Sequence, residues 1–212
     1  MTWVFTAMTV LALMVLLSGE RGNVTLRNLA KPVASAGFVG VALSAGALDT
    51  NFGTWIFLGL VLGASGDVLL LGASQTAFLV GLVAFLLGNV AYIAAFFTLG
   101  VDSGVSFIAA SVALVVAALV IVWLRPHLPT AMVGPVIGYI AVISTMLVVA
   151  VGATASGATP MLLAGAVAFY LSDLSVARDR FVAPGFVNRV WGLPLYYAGQ
   201  LLIAWSVISV SN

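Results

Sequence analysis

Apolar residues run along this chain in eight stretches of 17 to 22 positions, roughly 2–18, 32–48, 54–71, 77–98, 105–124, 130–150, 159–176 and 193–210. The clusters between them are the polar, glycine- and proline-rich punctuation of turns: "SGERGN", "LDTNFG", "GASQ", "GVDSG", "RPHLP", "GATASGATP" and "RDRFVAPGFVNR". A helix needs about 20 apolar residues to cross the hydrocarbon core of a bilayer, so the pattern predicts an all-α membrane protein of eight transmembrane helices. No connection is long enough to fold by itself. Residues 1–212 therefore read as a single polytopic membrane domain.

Composition strengthens this reading. The chain is 63% hydrophobic and 6% charged, with a mean hydropathy of +1.26, which excludes a water-soluble domain. Seven basic and six acidic residues leave a net charge of +1, too few and too balanced for a nucleic-acid partner. Cysteine is absent, which removes disulfides, thiolate catalysis and cysteine metal sites, and the single His127 rules out a cluster of histidines. No metal or cofactor is called for. The first apolar run has no Lys or Arg ahead of it, so it fits a membrane helix better than a cleaved signal peptide.

Arg21, Arg27 and Lys31 fall at the first connection, Arg125 at the fifth, and Arg178, Arg180 and Arg189 at the seventh. All seven basic residues thus belong to odd-numbered connections, which places those connections in the cytoplasm and both termini on the other side. The short connections suit a bacterial inner membrane. A cut after the fourth helix also reveals shared landmarks: Asp67 with Asp173, Asn89 with Gln200, and Pro32 with Pro135, at offsets of 106, 111 and 103 residues. These suggest parallel repeat halves, 1–100 and 101–212, related by an axis along the membrane normal.

Glu20, Asp49, Asp102 and Asp179 lie in connections and read as solvated turn residues. Asp67 and Asp173 lie inside apolar helices, each about a turn from the cytoplasmic end, hence at similar depth. An aspartate at the centre of a membrane helix costs about 2.5 to 3.5 kcal/mol, less near the interface, so both require partners or a cavity. One reading makes them internal glue, capping a neighbouring helix or pairing with Lys31 or an arginine. In the other they face each other across a cavity. Two carboxyls sharing a site need not ionise together, so one can donate a proton while the other stays anionic. That equipment serves acid-catalysed cleavage through an oxocarbenium-like cation, or equally proton transport.

Further polar groups in apolar helices outline the same cavity: Asn89 and Tyr92, Tyr139, Tyr170 and Ser172, then Tyr196, Tyr197 and Gln200. Asn89 and Tyr92 share a helical face, as do Tyr197 and Gln200. Singly, each also fits helix-to-helix contact or interfacial anchoring. Lys31 precedes Pro32, a residue suited to a helix start, and with Arg178, Arg180 and Arg189 it either receives a phosphate headgroup or satisfies the positive-inside rule. "GLVLG" at 59–63 and "GPVIG" at 134–138 have the spacing of close helix packing.

Five segments in this order give the chain a family likeness: "KPV" at 31–33, "GD" at 66–67, "FLLGNVAY" at 85–92, "FYLSDLSVARDRF" at 169–181 and "LYYAGQLLIAWS" at 195–206. The sequence resembles the YhhN-like membrane proteins, whose animal members are lysoplasmalogenases. The resemblance implies eight membrane helices and hydrolysis of the vinyl ether bond of lysoplasmalogens, releasing a fatty aldehyde and glycerophosphoethanolamine or glycerophosphocholine. It implies Asp67 and Asp173 as the catalytic pair, with Lys31, Asn89, Tyr92, Tyr197 and Gln200 around them. One departure is Asn89, where the family often has histidine; a titratable group is missing there, although an amide still hydrogen-bonds substrate or water.

On this reading the substrate is a lysophospholipid that enters from the bilayer, its tail among the helices and its headgroup near the basic rim, where Tyr139, Ser172, Arg180, Arg189 and Tyr196 join the binding set. One aspartic acid protonates the vinyl carbon and the other carboxylate stabilises the cation and activates water. The competing reading is a small proton- or cation-coupled transporter using the same pair.

Overall fold

The computed structural model describes residues 1–72 and 74–211, the side chain of Ser211 excepted. Its eight long helices are α1 (Thr2–Gly19), α2 (Val24–Ser44), α3 (Asn51–Leu69), α4 (Gln75–Phe97), α5 (Ser103–Leu124), α6 (Thr130–Ala155), α7 (Pro160–Ala177) and α8 (Phe186–Trp205). A short α9 (Ile208–Ser211), two single 3-10 turns at Ala47–Asp49 and Arg125–His127, and a π-helical turn at Arg178–Val182 complete it. Among the described residues there is no strand.

All of the long helices but α2 are long and apolar enough to cross a membrane, seven in all, so the protein is an integral multi-pass membrane protein. The expected eight spans are not all met, because the first half of α2 carries Arg27, Asn28 and Lys31 and its composition is too polar.

Local chemistry fixes the helix starts. Asn23, Thr50, Ser74 and Asp102 each accept a hydrogen bond from the backbone N–H three residues on, at 2.8–3.0 Å, capping α2, α3, α4 and α5. The connections after α2, α4 and α6 turn on Gly46, Gly100 and Gly157, whose φ values of 81°, 79° and 104° disfavour a side chain.

Consecutive helices pack as pairs, α1 on α2, α3 on α4, α5 on α6 and α7 on α8, while α2 with α8 and α4 with α6 join the pairs together. The core between them holds Phe38, Ile56, Leu60, Phe96, Phe169 and Ile203, all essentially inaccessible. α5 leans mainly on α6 and turns Phe107, Ile108, Leu114, Leu119 and Val122 outward, as a lipid-facing helix does.

Two helices start earlier than their apolar runs. α2 begins at Val24 and α8 at Phe186, rather than at 32 and 193. Pro32 is therefore inside α2, not at its start, and Lys31 projects from the helix body about 10 Å from its first residue at 1.5 Å per residue. The extra turns are polar because they wall a polar cavity. The two glycine motifs also part company. A Cβ on Gly59 would fall 2.4 Å from the Tyr92 ring and one on Gly63 2.7 Å from the Gln200 amide, whereas Gly134 and Gly138 face open space. Only the first motif brings helices together here.

Candidate active site

The first, third and seventh connections contribute to the lining of a cavity of about 490 Å³ that reaches from Gly72 and Pro184 to Asp67, Tyr139 and Asp173. Its walls differ in chemistry. Glu20, Lys31, Asp67, Asp173, Asp179 and Arg189 make one side polar; Phe78, Leu82, Val120, Leu124, Val136 and Ile140, from α4, α5 and α6, make the other apolar.

Asp67, in the last turn of α3 and 2% exposed, is met from α2 and α8. Lys31 Nζ lies 3.2 Å from Oδ1, and Ser35 Oγ and Tyr196 OH donate to Oδ2 at 2.6 and 2.7 Å. Lys31 and Ser35 are four apart on one face of α2, which is why both reach the same carboxylate. Behind Tyr196 the network continues inward. Gln200 Nε2 donates to Tyr196 OH at 3.3 Å, and Tyr92 OH donates to Gln200 Oε1 at 2.6 Å. Tyr197 OH lies 3.4 Å from Ser35 Oγ and donates to the Lys31 carbonyl at 3.4 Å. Phe38, Phe85 and Phe169 pack around the Tyr196 ring with centroids 5.7–6.2 Å away, excluding water from that side.

Asp173, one turn before the end of α7, has a sparser setting. Tyr139 OH donates to its Oδ2 at 2.6 Å, and Asn89 Nδ2 reaches Tyr139 OH at 3.4 Å while donating to the Phe85 carbonyl at 2.9 Å. Among the described residues no cation is within ion-pairing distance of Asp173. Among the described residues the buried Asn89 Oδ1 atom has no hydrogen-bond partner.

The rim is organised by Arg189, which pairs with Glu20 at 2.5 Å and Asp179 at 3.5 Å. Asn188 knits the seventh connection: it accepts from Arg178, and donates to Asp179 at 3.0 Å and to the Ala183 carbonyl at 2.7 Å. The π-turn closes with the Ala183 N–H on the Arg178 carbonyl at 2.8 Å, and it lays the Arg180 guanidinium over the Phe78 ring at 4.5 Å.

Of the residues singled out from sequence, Asp67, Asp173, Lys31, Tyr139, Tyr170, Ser172, Arg180, Arg189 and Tyr196 line this one cavity. Ser172 spends its hydroxyl on the Phe169 carbonyl at 2.7 Å. Asn89, Tyr92, Tyr197 and Gln200 lie behind the cavity wall and reach it through Tyr139, Tyr196 and Lys31. The sequence did not single out Ser35, although its spacing from Lys31 pointed to it. Glu20 and Asp179 are not the solvated turn residues expected, because both are drawn onto Arg189; Asp49 and Asp102 are exposed as expected.

The pocket thus combines one charged and one apolar wall with two carboxyls in its lining. Among the described residues no three His, Cys, Asp or Glu side chains gather as a metal site. The sequence matches the YhhN family over residues 1–207. The chain belongs to that family. Within reach of it are the proteins named lysoplasmalogenase TMEM86A of Bos taurus, 32% identical over 163 residues, and of Homo sapiens, 34% identical over 164 residues. Each match covers 73% of this chain, and the chain spans about 65% of the length of these curated relatives. No solved structure matches it significantly.

Proposed function

We propose that the protein is a lysoplasmalogenase-like hydrolase that cleaves the vinyl ether bond of a lysoplasmalogen to a fatty aldehyde and glycerophosphoethanolamine or glycerophosphocholine. The observation that carries this reading is the convergence of Asp67 and Asp173 on one amphiphilic cavity, in a family with relatives named for that activity. The reaction needs an acid to protonate carbon, a negative charge near the resulting oxocarbenium ion, and one water to capture it; the hemiacetal then collapses to aldehyde and alcohol. The aspartate pair supplies the first two. Lys31, Arg180 and Arg189 lie on the side where the headgroup enters, and the tail lies along the α4–α5–α6 wall. Tyr139 and Tyr196 touch the carboxyls directly, whereas Asn89, Tyr92, Tyr197 and Gln200 hold those groups in place.

The reading includes α2 as an eighth span: its 21 residues measure about 31 Å, enough to cross. It keeps the basic connections cytoplasmic, both termini outside, and the membrane a bacterial inner membrane. Parallel halves are supported by an exchange of partners. Asp67 of α3 is met from α2 and α8; Asp173 of α7 is met from α6 and, through Tyr139, from α4, the helices that the repeat makes equivalent.

The test is aldehyde release from a lysoplasmalogen by purified protein in detergent, with no sealed compartment. Turnover without a gradient supports a hydrolase; a folded protein that turns over nothing in detergent, yet moves protons or cations in vesicles, supports a transporter.

A further inference from the structure

The aspartates are chemically unequal, and their partners say which does what. Asp67 pairs with the Lys31 ammonium on Oδ1 and accepts hydrogen bonds from Ser35 and Tyr196 on Oδ2, so a positive charge and two hydroxyl donors compensate its carboxylate. Among the described residues the other cations near the cavity are engaged away from Asp173: Arg27 on Asn28, Arg178 on Asn188, Arg180 on the Phe78 ring, and Arg189 on Glu20 and Asp179. Among the described residues Asp173 has one hydroxyl donor, on Oδ2, and none on Oδ1.

We infer that Asp173 is the carboxyl that carries and delivers the proton, and that Asp67 is a fixed anion, compensated by Lys31, Ser35 and Tyr196, which orients the attacking water through a free acceptor position on Oδ1. This assignment deepens the hydrolase reading and rests on it for its catalytic meaning. The Asp173 proton forms the new C–H bond at the vinyl carbon not bonded to oxygen, using the alkene electron pair and leaving a carboxylate beside the oxocarbenium ion. Water bonds to the oxygen-bearing carbon, its proton returns to Asp173, and the hemiacetal splits into aldehyde and alcohol. One water is consumed and Asp173 ends as it began. Asp67 never changes charge. Tyr139, held by Asn89, is the positioning residue that fixes the Asp173 carboxyl.

A hydrophobic carbodiimide tests the asymmetry directly, because it adds to protonated carboxyls and leaves a stable N-acylurea whose mass locates the residue. Purified protein in detergent is treated with dicyclohexylcarbodiimide and mapped by peptide mass spectrometry. The expected result is labelling of Asp173 at least tenfold above Asp67, with Asp67 becoming labelled in Lys31→Met. Should that variant misfold, Ser35→Ala combined with Tyr196→Phe removes both hydroxyl donors and serves the same purpose. Labelling of Asp67 at or above the level of Asp173 in the wild type, or of neither in folded protein, overturns the assignment. Aldehyde release by the same preparation, measured before the carbodiimide is added, separates the two ideas. Labelled Asp173 without turnover sinks the hydrolase and leaves the asymmetry; turnover with Asp67 labelled does the reverse.

Discussion

Replacing Lys31 by methionine keeps most of the side-chain volume and removes the charge opposite Asp67. The pair is 3.2 Å apart, with side-chain exposures of 12% and 3%. At an effective dielectric of about 20, unit charges at that separation attract by about 5 kcal/mol. That figure agrees with the roughly 3–5 kcal/mol lost when one partner of a buried ion pair is removed and the other is stranded. At about 2–4 °C per kcal/mol for a chain of this size, the apparent melting temperature in detergent should fall by on the order of 10 °C. The cost comes from the orphaned carboxylate rather than from the missing lysine, so Lys31→Met with Asp67→Asn should recover most of the loss, a non-additivity expected of directly paired groups. Scanning fluorimetry of wild type, both single variants and the double variant measures this. A Lys31→Met protein as stable as wild type, or a double variant no more stable than Lys31→Met, would refute the claim that this ion pair is what allows a carboxylate in the apolar bundle.

Gly63→Ala forces a methyl to within 2.7 Å of the Gln200 amide and should destabilise by about 1–3 kcal/mol, while Gly134→Ala, which meets nothing within 4 Å, should be neutral or stabilising by up to about 1 kcal/mol in thermal melts. Ile140→Trp on the apolar wall should shift aldehyde production toward shorter chains, read as relative kcat/KM across a chain-length series; an unchanged profile argues that the tail lies elsewhere. Arg189→Gln releases both Glu20 and Asp179 at the rim and should raise KM for lysophospholipid several-fold with kcat little altered; a lowered kcat at constant KM would place Arg189 in the chemistry instead.

The sequence made the helical membrane architecture legible because apolar length alone encodes it, and six of the eight helices lie within a few residues of their apolar runs. α2 and α8 were truncated for a physical reason: the turns carrying Arg27, Lys31, Asn188 and Arg189 are polar because they wall the cavity, and hydropathy cannot tell such a turn from a connection. The aspartates stood out since a membrane helix tolerates a carboxylate only with cause. What joins them did not. The donors to Asp67 come from α2 and α8, more than 120 residues apart in the chain, and no local pattern pairs Ser35 with Tyr196. Glu20 and Asp179 looked like surface residues for the same reason, their shared partner Arg189 being distant from Glu20 in sequence.

In the proposed function Asp67 and Asp173 act together on a lysoplasmalogen. The most direct test is aldehyde release by wild type, Asp67→Asn and Asp173→Asn proteins of matched fold, purified in detergent. The account predicts turnover by wild type and a loss of at least a hundredfold in each variant; aldehyde released at near wild-type rate by either variant would contradict it.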